Sequence, residues 1–145
     1  MYVKITDGLP VPKSLAELRR DNPSVSFPGT FTDALALEWG LLPLQATPQP
    51  EINRLTENLV EGTPELVNGV WTQVWTVMPL PHAEAERRVR TERDRRLAAC
   101  DWVVIRAKEL GQSVPGPWFT YRGDLRQVPE QPDFPFGVNW PVPPE

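Results

Sequence analysis

Reactive side chains are scarce in this sequence. Cys100 is the only cysteine and His82 the only histidine among 145 residues. One thiol excludes an internal disulfide framework and any cysteine-rich zinc site. One imidazole, set between Pro81 and a charged stretch, reads as an exposed residue near a helix start, because proton-transfer chemistry needs positioned partners. Cys100 follows Leu97-Ala98-Ala99 on an apolar face and reads as a buried structural thiol rather than a nucleophile. The chain has no His-Glu-x-x-His, Walker A, nucleophile-elbow or dinucleotide motif. Ser14, Ser24, Ser26 and Ser113 lie in no activating context, and nothing brings carboxylates such as Asp101 and Glu109 together. A non-enzyme without catalytic residues, metal or cofactor is expected.

Other absences narrow the class further. Fifteen basic against nineteen acidic residues give a net charge of -4, so the basic footprint of a nucleic-acid binder is missing. No apolar run approaches the ~20 residues of a membrane-spanning helix. Residues 1–7 carry no signal-peptide h-region, so a soluble, intracellular chain at synthesis is expected. Hydrophobic residues make up 40%, which supports a modest core and one small domain or two small lobes.

Proline is what the chain has in excess, at 18 residues, over twice the average usage of about 5%. Local signals between the prolines define an α+β chain. Tyr2 to Thr6 has the β-branched and aromatic make-up of a strand closed by Asp7-Gly8. Ser14 and Glu17 form a capping box for a short helix that Asn22-Pro23 ends, and Thr32 caps a second that Gly40 closes, with Phe31, Leu35 and Trp39 on its buried side. Alternation from Leu55 to Glu61 and from Val70 to Met78 predicts two strands. Trp71, Gln73, Trp75 and Val77 share one face of the second. Asn68-Gly69 suits a type I′ turn, and Gly62-Thr63-Pro64 a bulge or longer loop. Residues 1–80 thus read as a lobe with this hairpin as its spine.

A long helix is expected from Ala83. Its charged half, residues 81–96, offers only Val89 as a sizeable apolar residue and reads as a solvated connector or as an arm on a partner. Glu84 with Arg88, Glu86 with Arg90 and Glu92 with Arg96 are spaced i,i+4 in the favourable order. From Leu97 an apolar face (Leu97, Cys100, Val104, Ala107) runs to a stop at Gly111. Pro115-Gly116-Pro117 then opens a helix whose Trp118, Tyr121, Leu125 and Val128 share one side. Residues 97–145 therefore read as a helical hairpin with Trp102 and Trp118 near its seam, followed by an extended, proline-rich tail. Phe134, Phe136 and Trp140 in that tail look like anchors in a groove, either the chain's own or a partner's.

Arg95-Arg96-Leu97-Ala98-Ala99-Cys100-Asp101-Trp102, Tyr121-Arg122-Gly123-Asp124-Leu125-Arg126, Gln131-Pro132-Asp133-Phe134-Pro135 and Asn139-Trp140-Pro141 resemble, in this order, the phage tail assembly chaperone family. Cys100 stands where the family usually has Ser or Thr, and Gly123 where it favours a better helix former. Residues from Leu18 to Trp75 resemble the lobe commonly joined to that module. The resemblance implies a non-enzymatic chaperone in the host cytoplasm that binds a tail or tail-fibre protein through aromatic surfaces, alone, as a homo-oligomer or as a fibre-matched trimer. Neither nucleic acid nor membrane is an expected partner. The candidate partner-binding residues are Trp71, Trp75, Trp102, Trp118, Tyr121, Phe134, Phe136 and Trp140. A structural subunit retained in the virion tail or fibre is the alternative.

Overall fold

The computed structural model describes residues Met1–Glu145. The chain is α+β, β-rich toward the N-terminus and helical toward the C-terminus. It divides into two compact units, residues 1–52 with 59–77, and residues 53–58 with 78–145.

In the first unit β1 (Tyr2–Thr6) turns back at Asp7-Gly8, both at positive φ, into β2 (Leu9–Lys13). Pro10 and Pro12 hide β2 from a sequence reading, yet they fit an edge. Two residues without an N–H give a further strand no donor to pair with, and β2 ends a sheet of order β2-β1-β3 (Leu41–Gln45)-β6 (Val70–Thr72)-β5 (Glu65–Val67). Helix α1 (Leu15–Asp21) starts at the expected capping box: the Glu17 amide donates to Ser14 Oγ and the Ser14 amide to Glu17 Oε2. Helix α2 (Asp33–Glu38) starts at Thr32 and is closed by Gly40 at φ +67°. Tyr2, Leu18, Ala36 and Leu41 form the buried core, with Leu15, Phe27, Phe31 and Trp39 packed on it. The central strand β3 (Leu41–Gln45) was not visible in the sequence because Pro43 interrupts it. Pro43 is tolerated because β3 pairs with β1 through residues 41–43 and with β6 only at Leu44 and Gln45.

The expected spine hairpin is real at its tip and broken in its body. Asn68-Gly69, at φ +50° and +81°, joins β5 (Glu65–Val67) to β6 (Val70–Thr72). The long strand predicted over Val70–Met78 stops at Thr72 and resumes as β7 (Trp75–Pro79), which pairs with β4 (Glu57–Glu61) in a separate two-stranded sheet. Competition for hydrogen bonds causes the break. The Gln73 amide donates to Gln45 O at 2.9 Å, and the Thr47 hydroxyl donates to Gln73 O at 2.8 Å. The Trp75 indole donates to Thr47 O at 3.1 Å, while Gly62 N–H reaches Val74 O across the gap.

In the second unit α3 (His82–Ala99) and α4 (Asp101–Glu109) are two helices rather than one, separated at Cys100 (φ -115°, ψ 14°). Gly111 at φ +62° ends α4 as expected. Helix α5 (Gly116–Gln127) runs into a 3-10 turn at Val128–Glu130. The tail is compact where an extended run was expected. Backbone bonds Phe134 to Gln131 and Gly137 to Asp133 form successive turns, and the Gln131 side chain holds both the N–H and the C=O of Asn139. Within the tail, residues 138–145 are free of helix, strand and turn.

Two substitutions check these devices by thermal unfolding. Trp75→Phe removes the bond to Thr47 and should cost about 1 kcal/mol. Gly137→Ala places a methyl 2.6 Å from Asp133 Cβ and should destabilise the second unit by about 1–3 kcal/mol. Wild-type melting of either would refute the corresponding contact.

Candidate functional site

The helix break at Cys100 is held by one buried guanidinium. Helix ends leave carbonyls without intrahelical partners, and Arg122, projecting from α5, takes up the end of α3. Its Nη1 donates to Leu97 O and to Cys100 Sγ, each at 3.0 Å, and its Nη2 to Asp101 Oδ1 at 2.8 Å. The Cys100 thiol donates back to Arg96 O and Leu97 O, as a Ser or Thr hydroxyl does within a helix. Cys100 is buried as expected. Burial opposes the charge on Arg122, but the bonds it donates to Asp101 and Cys100 outweigh it and raise its pKa. The break turns the buried side of α4 to Val103 and Ala107, leaving Val104 exposed where a core residue was expected.

The charged half of α3 is not a bare spacer. Ala85 and Val89 are fully buried, and Arg88 Nη1 donates to Arg54 O. The tail packs on guanidinium planes: Arg90 lies 5.4 Å from the Phe134 ring and Arg96 4.3 Å from the Trp140 ring, while Phe136 meets His82 edge-on at 6.0 Å. Each stacked arginine is fixed by a carboxylate one turn earlier, Arg90 by Glu86 at 2.9 Å and Arg96 by Glu92 at 2.8 Å. Fixing the guanidinium beforehand reduces the side-chain entropy lost on stacking, and each stack contributes about 0.5–2 kcal/mol.

Two carboxylates of α3, Glu84 and Glu92, are unusually acidic. Bonds from Arg87 and then Arg88 hold Glu84 at about 2. The bond from Arg95, opposed by burial and aided by Arg96, holds Glu92 at about 2. Depressed folded-state values stabilise the fold above the unfolded value of 4.5, and that stabilisation is lost as pH falls through about 2.

The expected aromatic residues occupy different settings. Trp71 and Trp75 are half-buried in the first unit, and the break at Gln73–Val74 removes the strand alternation that would give them a shared face. Tyr121 is buried with Cys100 and Leu125, against which Leu97, Trp118 and Trp140 pack, so it belongs to the core. Phe134 and Trp140 are covered on one face by arginines, and Phe136 is exposed. Trp102 is 52% exposed and meets Trp118 edge-on at 5.9 Å. The two border a groove of about 320 Å³ with Val103, Arg106, Ala107 and Leu110. Ile105 and Leu110 are also exposed, as is Phe119 at 71%; the sequence reading did not single out Phe119 or Leu110, since one apolar residue per turn looks the same inside or outside. Arg122 was missed as well, although its place in the Tyr121-to-Arg126 motif was the available signal.

The second unit is therefore a helical body knit by arginine–carboxylate and arginine–aromatic contacts, with an open tryptophan-walled groove. Residues 86–145 match the family described as phage tail assembly chaperone protein. The motifs that carried the resemblance lie within the match, whereas the N-terminal lobe lies outside it. No curated protein and no solved structure matches the chain.

Replacing Arg122 with Ala should cost about 2 kcal/mol or more, because its charge-assisted bonds to Leu97 O, Cys100 Sγ and Asp101 are all lost. Cys100→Ser should cost less than Cys100→Val, which keeps the volume and removes the bonds. Chemical denaturation orders the three, and a harmless Arg122→Ala would refute the clamp. On acid titration the melting temperature should fall from pH 4.5 toward 2, and Glu92→Gln should flatten that slope. An unchanged slope would show that Glu92 does not carry the linkage.

Proposed function

We propose that the protein is a tail assembly chaperone that binds an unassembled tail or tail-fibre protein, without chemistry on it, in the cytoplasm of the infected cell. One observation carries the reading: the span that matches the assembly-chaperone family also contains the open groove between Trp102 and Trp118. Its volume is near the lower end of the range for ligand pockets, suited to one or two anchoring side chains. Tryptophan is the residue type most enriched at the energetic centre of interfaces. Fibre subunits expose apolar surface and unpaired strand edges before they close, and such surface aggregates unless covered.

Of the candidate partner-binding residues, Trp102, Trp118 and Phe136 are the ones we assign to direct contact. Trp71, Trp75, Phe134 and Trp140 have contacts within the chain to give up first, and Tyr121 supports the surface from below. Acidic net charge fits a protein partner rather than nucleic acid.

Co-expression with the adjacent fibre protein tests the proposal. The unaltered chain should raise the soluble fibre fraction. Trp102→Ala should abolish that gain while leaving the melting temperature within about 2 °C, as expected for an exposed side chain. Fibre solubility indifferent to the chain would overturn the reading. Stoichiometric presence in purified particles would replace it with a retained virion subunit.

A further inference from the structure

The groove between Trp102 and Trp118 is apolar in its walls and one-sided in its charge. Its polar lining comes from Arg106, Gln112 and Ser113, and no carboxylate lines it, although the chain as a whole carries a net charge of -4. All three of those side chains can donate hydrogen bonds, and none is engaged within the chain. Other arginines nearby are already taken. Every arginine of α3 pairs with a carboxylate, and Arg122 pairs with Asp101. On the helices of this unit only Arg106 and Arg126 hold none, and of these only Arg106 lines the groove. Glu109, one turn on from Arg106, makes no ion pair with it. The last turn of α4 favours a cation, but Lys108 stands in that turn too, so the helix end does not by itself call for an arginine at the groove.

We propose that the groove recognises an acidic–apolar segment of the partner protein. A bulky apolar side chain sits between the two tryptophans, and an Asp or Glu adjacent to it, or one residue removed, pairs with Arg106. The inference rests on the groove being the partner-binding surface and adds the chemistry of what it binds. Burial against the indoles supplies the affinity. The carboxylate supplies the selectivity. A guanidinium can donate two parallel bonds to a carboxylate, and Gln112 and Ser113 are placed to donate to its remaining lone pairs. A basic segment would meet like charge, and an uncharged one would cover Arg106 without pairing it, at a cost in desolvation.

A bead-bound library of random short peptides, each attached through its C-terminus, tests the assignment with the full chain. Peptides that retain the unaltered chain and not Trp102→Ala should carry Asp or Glu beside a bulky apolar residue. Arg106→Glu should reverse the preference to Lys or Arg, and Arg106→Gln should weaken binding of the selected acidic peptides about threefold or more. Selected peptides without an acidic residue, selection unchanged by Arg106→Glu, or no selection that depends on Trp102 would each overturn the inference. So would a lower melting temperature of Arg106→Gln with unchanged peptide affinity, because Arg106 would then serve only the end of α4. The fibre protein is absent from this assay. Its failure, with fibre still solubilised through Trp102, removes only the ligand chemistry, whereas fibre indifferent to the unaltered chain removes the assembly reading.

Discussion

A guanidinium fixed by a glutamate one helical turn before it is the contact on which the C-terminal unit is built. From His82 to Arg96, helix α3 offers almost no apolar surface apart from Ala85 and Val89. Whatever packs on its remaining faces must therefore pack on arginine. Glu86 and Glu92 hold Arg90 and Arg96 so that their planes meet Phe134 and Trp140. A lysine at either position would keep the charge and lose the plane. The alternation of acid and base along α3 thus makes a docking surface out of a sequence that contains few hydrophobic residues.

Arg122 applies the same chemistry at the end of α3. By taking up Leu97 O and Asp101 it fixes the break at Cys100, and the break decides which residues of α4 are buried. Val103 and Ala107 turn inward, whereas Trp102 and Ile105 stay in water. The groove that the proposed function uses is therefore a consequence of one buried cation on α5, the helix that follows α4. No buried side-chain nitrogen or oxygen lacks a partner, as a polar network of this kind requires.

Features legible in the sequence are those set by neighbours within four residues. The Ser14–Glu17 box, the Asn68-Gly69 turn and the stop at Gly111 all belong to this class. Features that were not legible depend on residues distant in the chain. The Val70–Met78 strand divides because Gln45 and Thr47 compete for Gln73. Strand β2 and the tail both suffer from reading proline as a breaker, when it fits an edge strand and a series of turns. At the site, the aromatic residues were visible, but not which were covered. Tyr121 and Trp118 share a helical face, yet only the packing of Leu97 and Cys100 tells core from groove wall. The arginines of α3 looked solvated because the rings that cover them lie some forty residues onward.

The most direct test of the arginine-plane account is a double-mutant cycle on Arg96 and Trp140, using Arg96→Lys and Trp140→Leu and measuring unfolding free energy. Both changes keep charge or apolar bulk and remove only the stack. The account predicts a coupling energy of about 0.5–2 kcal/mol. Additive effects, with no coupling beyond error, would contradict it.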